Sequence, residues 1–104
     1  MQKTDWELFY ENTKKWRERF LFEKNKELAA ILTNGDYEAT EAFFKADTYQ
    51  EQLKDTLSGC FDGNTKETLG MSLILMARCG MIGKDDVTIF SQEMQSNLSA
   101  FVKQ

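Results

Sequence analysis

The run Leu69-Gly-Met-Ser-Leu-Ile-Leu-Met-Ala-Arg-Cys79 limits the fold of this chain more than any other stretch. It carries no charge from Leu69 to Ala77. Its apolar residues Leu69, Met71, Leu73, Ile74, Leu75, Met76 and Ala77 cover the whole circumference of a helix turning about 100° per residue. A helix that is apolar on every side is buried in protein or in lipid. A membrane span needs roughly 20 such residues, and this run falls well short. The expectation is a central helix over about residues 65–79 with the remaining helices laid around it, and no membrane partner.

The rest of the chain supports an all-α reading. Proline is absent and the six glycines fall mostly between periodic segments, a composition that suits helices. Thr4 or Asp5 caps a first helix on which Trp6, Phe9, Tyr10, Thr13, Trp16 and Phe20 share one face. Leu28, Ala29, Ile31 and Leu32 extend the apolar pattern, as the end of that helix or as a second one; the spacing fits both. Gly35 is placed to end it as a left-handed cap, and Asp36 to start a short helix through Phe43 and Phe44.

Asp47-Thr-Tyr-Gln50 and Asn64-Thr-Lys-Glu67 both have the form of capping boxes. The first predicts a helix with a Tyr49, Leu53, Leu57, Cys60 seam that ends at Asp62-Gly63. The second predicts the opening of the central helix. Gly70 inside that helix suggests a close backbone approach. Asp85 then caps a last helix, with Val87, Phe90, Met94, Leu98 and Phe101 on one side to the C-terminus. The fold expected is one domain over residues 1–104, a compact bundle of five or six helices.

Most chemistry is excluded by residue type. Ser and Cys nucleophiles normally recruit a histidine base, and the chain has no histidine. Zinc sites need four ligands, usually with a tight Cys pair, whereas Cys60 and Cys79 stand nineteen apart. Gly80-Met-Ile-Gly83-Lys84 lacks the first glycine of a phosphate loop and has Asp85 where the magnesium ligand belongs. Asp36 and Asp62 begin no calcium-loop pattern. The helix after Gly83 opens Lys-Asp-Asp and has no further basic residue before Lys103, which argues against direct reading of DNA. The chain is therefore read as a non-enzyme without metal or cofactor. The expected location is cytoplasmic, since no basic-then-apolar leader opens it and its two cysteines are read as thiols.

The overall charge of −4 is unevenly spread. Residues 1–33 have seven basic and six acidic groups, read as a solvated face laced with ion pairs, and residues 64–104 balance. Residues 34–63 hold seven acids against two lysines, a net of −5. Among them Asp47, Glu51 and Asp55 stand four apart, which places three carboxylates on one helix face opposite Tyr49, Leu53 and Leu57. Like charges at that spacing cost an isolated helix a few tenths of a kcal/mol per pair. Such a stripe is a candidate for facing a basic partner. The candidate partner-binding residues are Asp36, Tyr37, Glu38, Glu41, Asp47, Glu51 and Asp55. Phe43, Phe44 and Tyr49 among them serve either as anchors or as core.

Two functional classes follow. One is a small acidic protein that masks a basic surface of a protein partner, as an immunity protein, antitoxin or inhibitor of a toxin or nuclease does. The other is a structural or adaptor subunit, self-associating or docking through an apolar patch of Phe22, Met81, Ile82 and Ile89. Salt separates them, because ionic binding weakens with ionic strength and apolar binding does not.

Overall fold

A computed structural model describes residues 2–102, of which 71% are helical, with no strand among them. Four α-helices follow in order: α1 (Asp5–Leu32), α2 (Ala39–Phe61), α3 (Leu69–Arg78) and α4 (Gln92–Leu98), with a 3-10 turn at Asp86–Ile89 before the last. The count is four rather than the five or six expected, and each difference has a local cause.

Residues 5–32 form one helix, because nothing between Phe20 and Leu28 interrupts it. Thr4 caps it by accepting the Glu7 N–H at 3.2 Å. The capping-box residues from Asp47 lie inside α2, which starts at Ala39 with Glu38 in the cap position. Lys45 and Ala46 offer no break, and buried Ala42 and Ala46 belong to the same inner face as Tyr49 and Leu53. Gly35 does not take a left-handed conformation, which among the described residues belongs to Gly63 and Gly80. Instead the Asn34 side chain accepts the Asp36 N–H at 2.8 Å and closes the turn.

The central helix is shorter than residues 65–79. Thr65 and Thr68 exchange backbone-to-hydroxyl bonds of 2.9 and 3.2 Å, so a polar turn occupies the expected capping box and α3 begins at Leu69. It ends where Gly80, at φ +82°, donates to Ala77 and Met81 donates to Met76, the paired bonds of a Schellman cap. The last helix is interrupted too. Phe90 is extended, and Ser91 restarts the helix by accepting the Met94 N–H. Ser91 is itself held by Asp5, whose carboxylate accepts its N–H at 2.8 Å and its hydroxyl at 2.6 Å.

The core gathers Leu73, Met76 and Ala77 of α3 with Phe9, Trp16 and Phe20 of α1, Cys60 of α2, and Met81, Ile82, Val87, Phe90 and Leu98. The ring of Trp16 lies 6.4 Å from Phe9 and 6.1 Å from Phe90, so it ties the long helix to the C-terminal segment. α3 is largely enclosed, although Met71 stays 60% exposed. Tyr10, expected on the inward stripe, points outward. Beyond Phe20, α1 runs on against α2 as a helical hairpin. A 28-residue helix is about 42 Å long at 1.5 Å per residue, and the molecule extends 56 Å along its main axis.

Arg19 clasps the 3-10 turn onto α1. Its guanidinium donates to both Asp86 carboxylate oxygens, at 3.0 and 2.7 Å, and to the Met81 carbonyl at 2.9 Å, while Asp86 also accepts the Gly83 N–H. Burial pushes the Asp86 carboxyl up, but the bonds from Arg19 and Gly83 and the charges of Arg19 and Lys15 outweigh it. The net effect holds it below its ordinary value. The stability this contributes is present above the unfolded pKa of about 3.9 and is lost as pH falls through the lower folded value. Asp86→Asn should cost about 1–3 kcal/mol at neutral pH. In thermal melts the gap to the wild type should close as the pH falls below the ordinary carboxyl value of about 3.9; a gap that persists unchanged at lower pH would remove Asp86 as its source.

Gly70 has no close neighbour, since a Cβ built there meets nothing within 4 Å, and the expected backbone contact does not exist. Gly70→Ala should therefore stabilise the chain by about 0.5–1 kcal/mol by restricting the unfolded state and favouring the helix. A fall in the urea midpoint would contradict this.

Candidate partner-binding face

The face is built by the first half of α2. Ala42 and Ala46 lie buried toward α1, and Tyr49 and Leu53 continue that inner side half-buried. At about 100° per residue, Phe44, Asp47, Glu51 and Asp55 fall within an arc of about 80° on the opposite side of the helix. All four are exposed. Phe43 flanks them, its ring edge-on to Phe44 with centroids 5.3 Å apart and planes at 89°. The two phenylalanines remain 63% and 61% exposed.

The seven acidic-block residues separate into two groups. Asp47, Glu51 and Asp55 form the stripe, with Lys54 3.2 Å from Glu51 and partly balancing it. Asp36 and Tyr37 lie in the turn between α1 and α2, Glu38 precedes the helix, and Glu41 lies in its first turn beside the stripe. Tyr37 is half-buried under Lys45, whose Nζ is 5.1 Å from the ring centre. Among the described residues, Asp36, Glu38, Glu41, Asp47 and Asp55 have no cation within 4.0 Å.

Tyr49 faces inward and is no anchor. Its hydroxyl donates to the Glu27 carboxylate on α1, and burial together with that bond and the Glu27 charge pushes its pKa up to about 12. Phe43 and Phe44, which the sequence left undecided between surface and core, lie on the surface. Phase was the available signal: Phe44 keeps step with Asp47, Glu51 and Asp55, and falls on the side opposite Leu53.

The apolar patch of the adaptor reading does not assemble. Met81 and Ile82 are buried in the core, and the exposed Phe22 and Ile89 lie on α1 and the 3-10 turn. Of the two tryptophans, Trp16 is enclosed, and Trp6 stacks on Phe9 at 5.7 Å. Among the basic residues of α1, Lys24 pairs with Glu27 at 3.2 Å and Lys26 with Glu23 at 3.4 Å along the helix, and Arg19 reaches across to Asp86. Among the described residues no three Cys, Asp or Glu side chains converge as metal ligands, and no helix is long and apolar enough to cross a membrane.

Comparison with protein-family models, curated proteins and solved structures finds no match to this chain.

Proposed function

We propose that the chain is a protein-binding module whose α1–α2 hairpin covers a basic surface of a partner protein. Phe44 is the apolar anchor, with Phe43 beside it, and Asp47, Glu51 and Asp55 are the charges around them. The observation that supports this most is the placement of two exposed phenylalanines in and beside an acidic stripe on a helix that faces away from its own core.

An aromatic anchor with charges around it has the composition of an interface centre and its rim. The acids give long-range attraction to a basic surface and speed encounter, and the rings supply the desolvated contact that slows release. Masking the basic groove of a toxin or nuclease, as immunity proteins, antitoxins and inhibitors do, is the form of binding this favours.

The test is affinity capture from the native cell at low and at high salt, followed by identification of what elutes and by sedimentation of the chain alone. The reading expects a basic protein that leaves as salt rises. Capture indifferent to salt would overturn the acidic-face reading, and so would self-association through Phe43 and Phe44 with no heterologous partner.

A further inference from the structure

Cys60 occupies the last turn of α2 and Cys79 ends α3, so thiols nineteen residues apart in sequence line one groove between the two helices. The groove has a volume of about 440 Å³ and is walled by Asp55, Thr56, Gly59, Leu75 and Arg78, so one carboxylate and one guanidinium face the thiols. Gly59 leaves its side open, since a Cβ built there meets nothing within 4 Å. Both cysteines are free. They differ in access: Cys60 is 2% exposed and belongs to the core, while Cys79 is half-buried.

We propose that Cys79 and Cys60 form a redox-active dithiol that exchanges with small disulfides of the glutathione class, with Cys79 as the attacking thiol and Cys60 as the resolving one. The electrostatics fit this order. The neighbouring Cys60 thiol holds the Cys79 thiol below its ordinary value against burial, helped by nearby backbone N–H groups and the charge of Lys24, while Cys79 Sγ itself donates to the Met76 carbonyl at 3.4 Å. The neighbouring Cys79, with burial, pushes the Cys60 thiol up, so Cys60 keeps its proton while Cys79 reacts. A thiolate that is partly exposed beside cationic groups is the reactive kind, and a buried thiol alone is inert.

The exchange balances in two steps. The Cys79 thiolate attacks one sulfur of glutathione disulfide, the disulfide bond breaks, and the first glutathione leaves as a thiolate that takes a proton from water. Cys60 then loses its proton and attacks Cys79 Sγ, the mixed disulfide breaks, and the second glutathione leaves as a thiolate that takes up that proton by way of water. Two protein thiols are oxidised to one disulfide, and one glutathione disulfide is reduced to two thiols. The product ties the end of α2 to the end of α3.

The experiment incubates the reduced protein with glutathione disulfide, traps free thiols by alkylation and reads the products by mass spectrometry. The wild type should form the Cys60–Cys79 disulfide within one chain. Cys60→Ala should accumulate a single glutathione on Cys79, and Cys79→Ala should react at least about tenfold more slowly. Alkylation of Cys79 should have a pH midpoint below the ordinary thiol value of about 8.5 in the wild type and should move up in Cys60→Ala.

A folded wild type that forms no internal disulfide, or only disulfide-linked dimers, would overturn the proposal without any variant. So would a Cys79 alkylation midpoint at or above that of a free thiol. Cys60→Ser serves in place of Cys60→Ala if the alanine variant does not fold.

Discussion

Trp16→Ala is expected to remove about 3–5 kcal/mol of folding stability, the range for truncating a large buried aromatic. The indole is 1% exposed and sits between Phe9 of its own helix and Phe90 of the C-terminal segment. Its loss opens a cavity where α1, α3 and the C-terminal segment meet, and none of these can close it without leaving another contact. Domains of this size have about 5–15 kcal/mol in total. The variant should therefore melt roughly 15–30 °C lower, or be partly unfolded at ambient temperature.

Tyr10→Ala provides the contrast. Tyr10 belongs to the same aromatic stripe in the sequence but points to solvent, so its removal should cost within about 0.5 kcal/mol. Urea denaturation followed by circular dichroism measures both. Equal losses in the two variants would mean that α1 does not dock on the body through Trp16.

The second large effect concerns binding. Phe44→Ala should weaken partner binding by about 30-fold or more, the equivalent of a 2 kcal/mol anchor. Glu51→Lys combined with Asp55→Lys should act differently. Reversing two charges of the stripe should slow association and remove most of its salt dependence. All three side chains are exposed, so unfolding free energies should stay within about 0.5 kcal/mol of the wild type. The charge reversal leaves positions 51 and 55 a like-charge pair and sets a positive charge four residues after Asp47, so the helix itself changes little. Folded variants that bind as tightly and as quickly as the wild type would show that this face of α2 is not the interface. The Cys60–Cys79 exchange is tested separately.

Local structure is legible in the residues wherever one local rule acts alone. Of the two cap candidates, Thr4 takes the position; α2 ends at Asp62-Gly63 and α3 next to residue 79 as their glycines suggest, and Val87, Phe90 and Leu98 point inward even though the helix carrying them is broken. Where two local rules compete, packing decides. Asp47 has a capping signature, yet Ala42, Ala46, Tyr49 and Leu53 keep one continuous inward face, and burial of that face against α1 overrides the cap. Thr65 and Thr68 also resemble a helix start, but they satisfy each other's backbone groups in a turn instead.

What the sequence determined by itself was class and charge: an all-helical chain with a strongly apolar third helix and an acidic segment at residues 34–63. Helical periodicity and charge are properties of neighbours along the chain, so they are readable there. Only the tertiary structure decided which apolar residues would be covered. Met81 and Ile82 entered the core because the Schellman turn folds them back onto α3, while Phe43 and Phe44 stayed outside because α2 extends along α1 where no other helix reaches them. The meeting of Cys60 and Cys79 is of the same kind. Burial and long-range contact depend on where distant segments come to rest, and no local pattern records that.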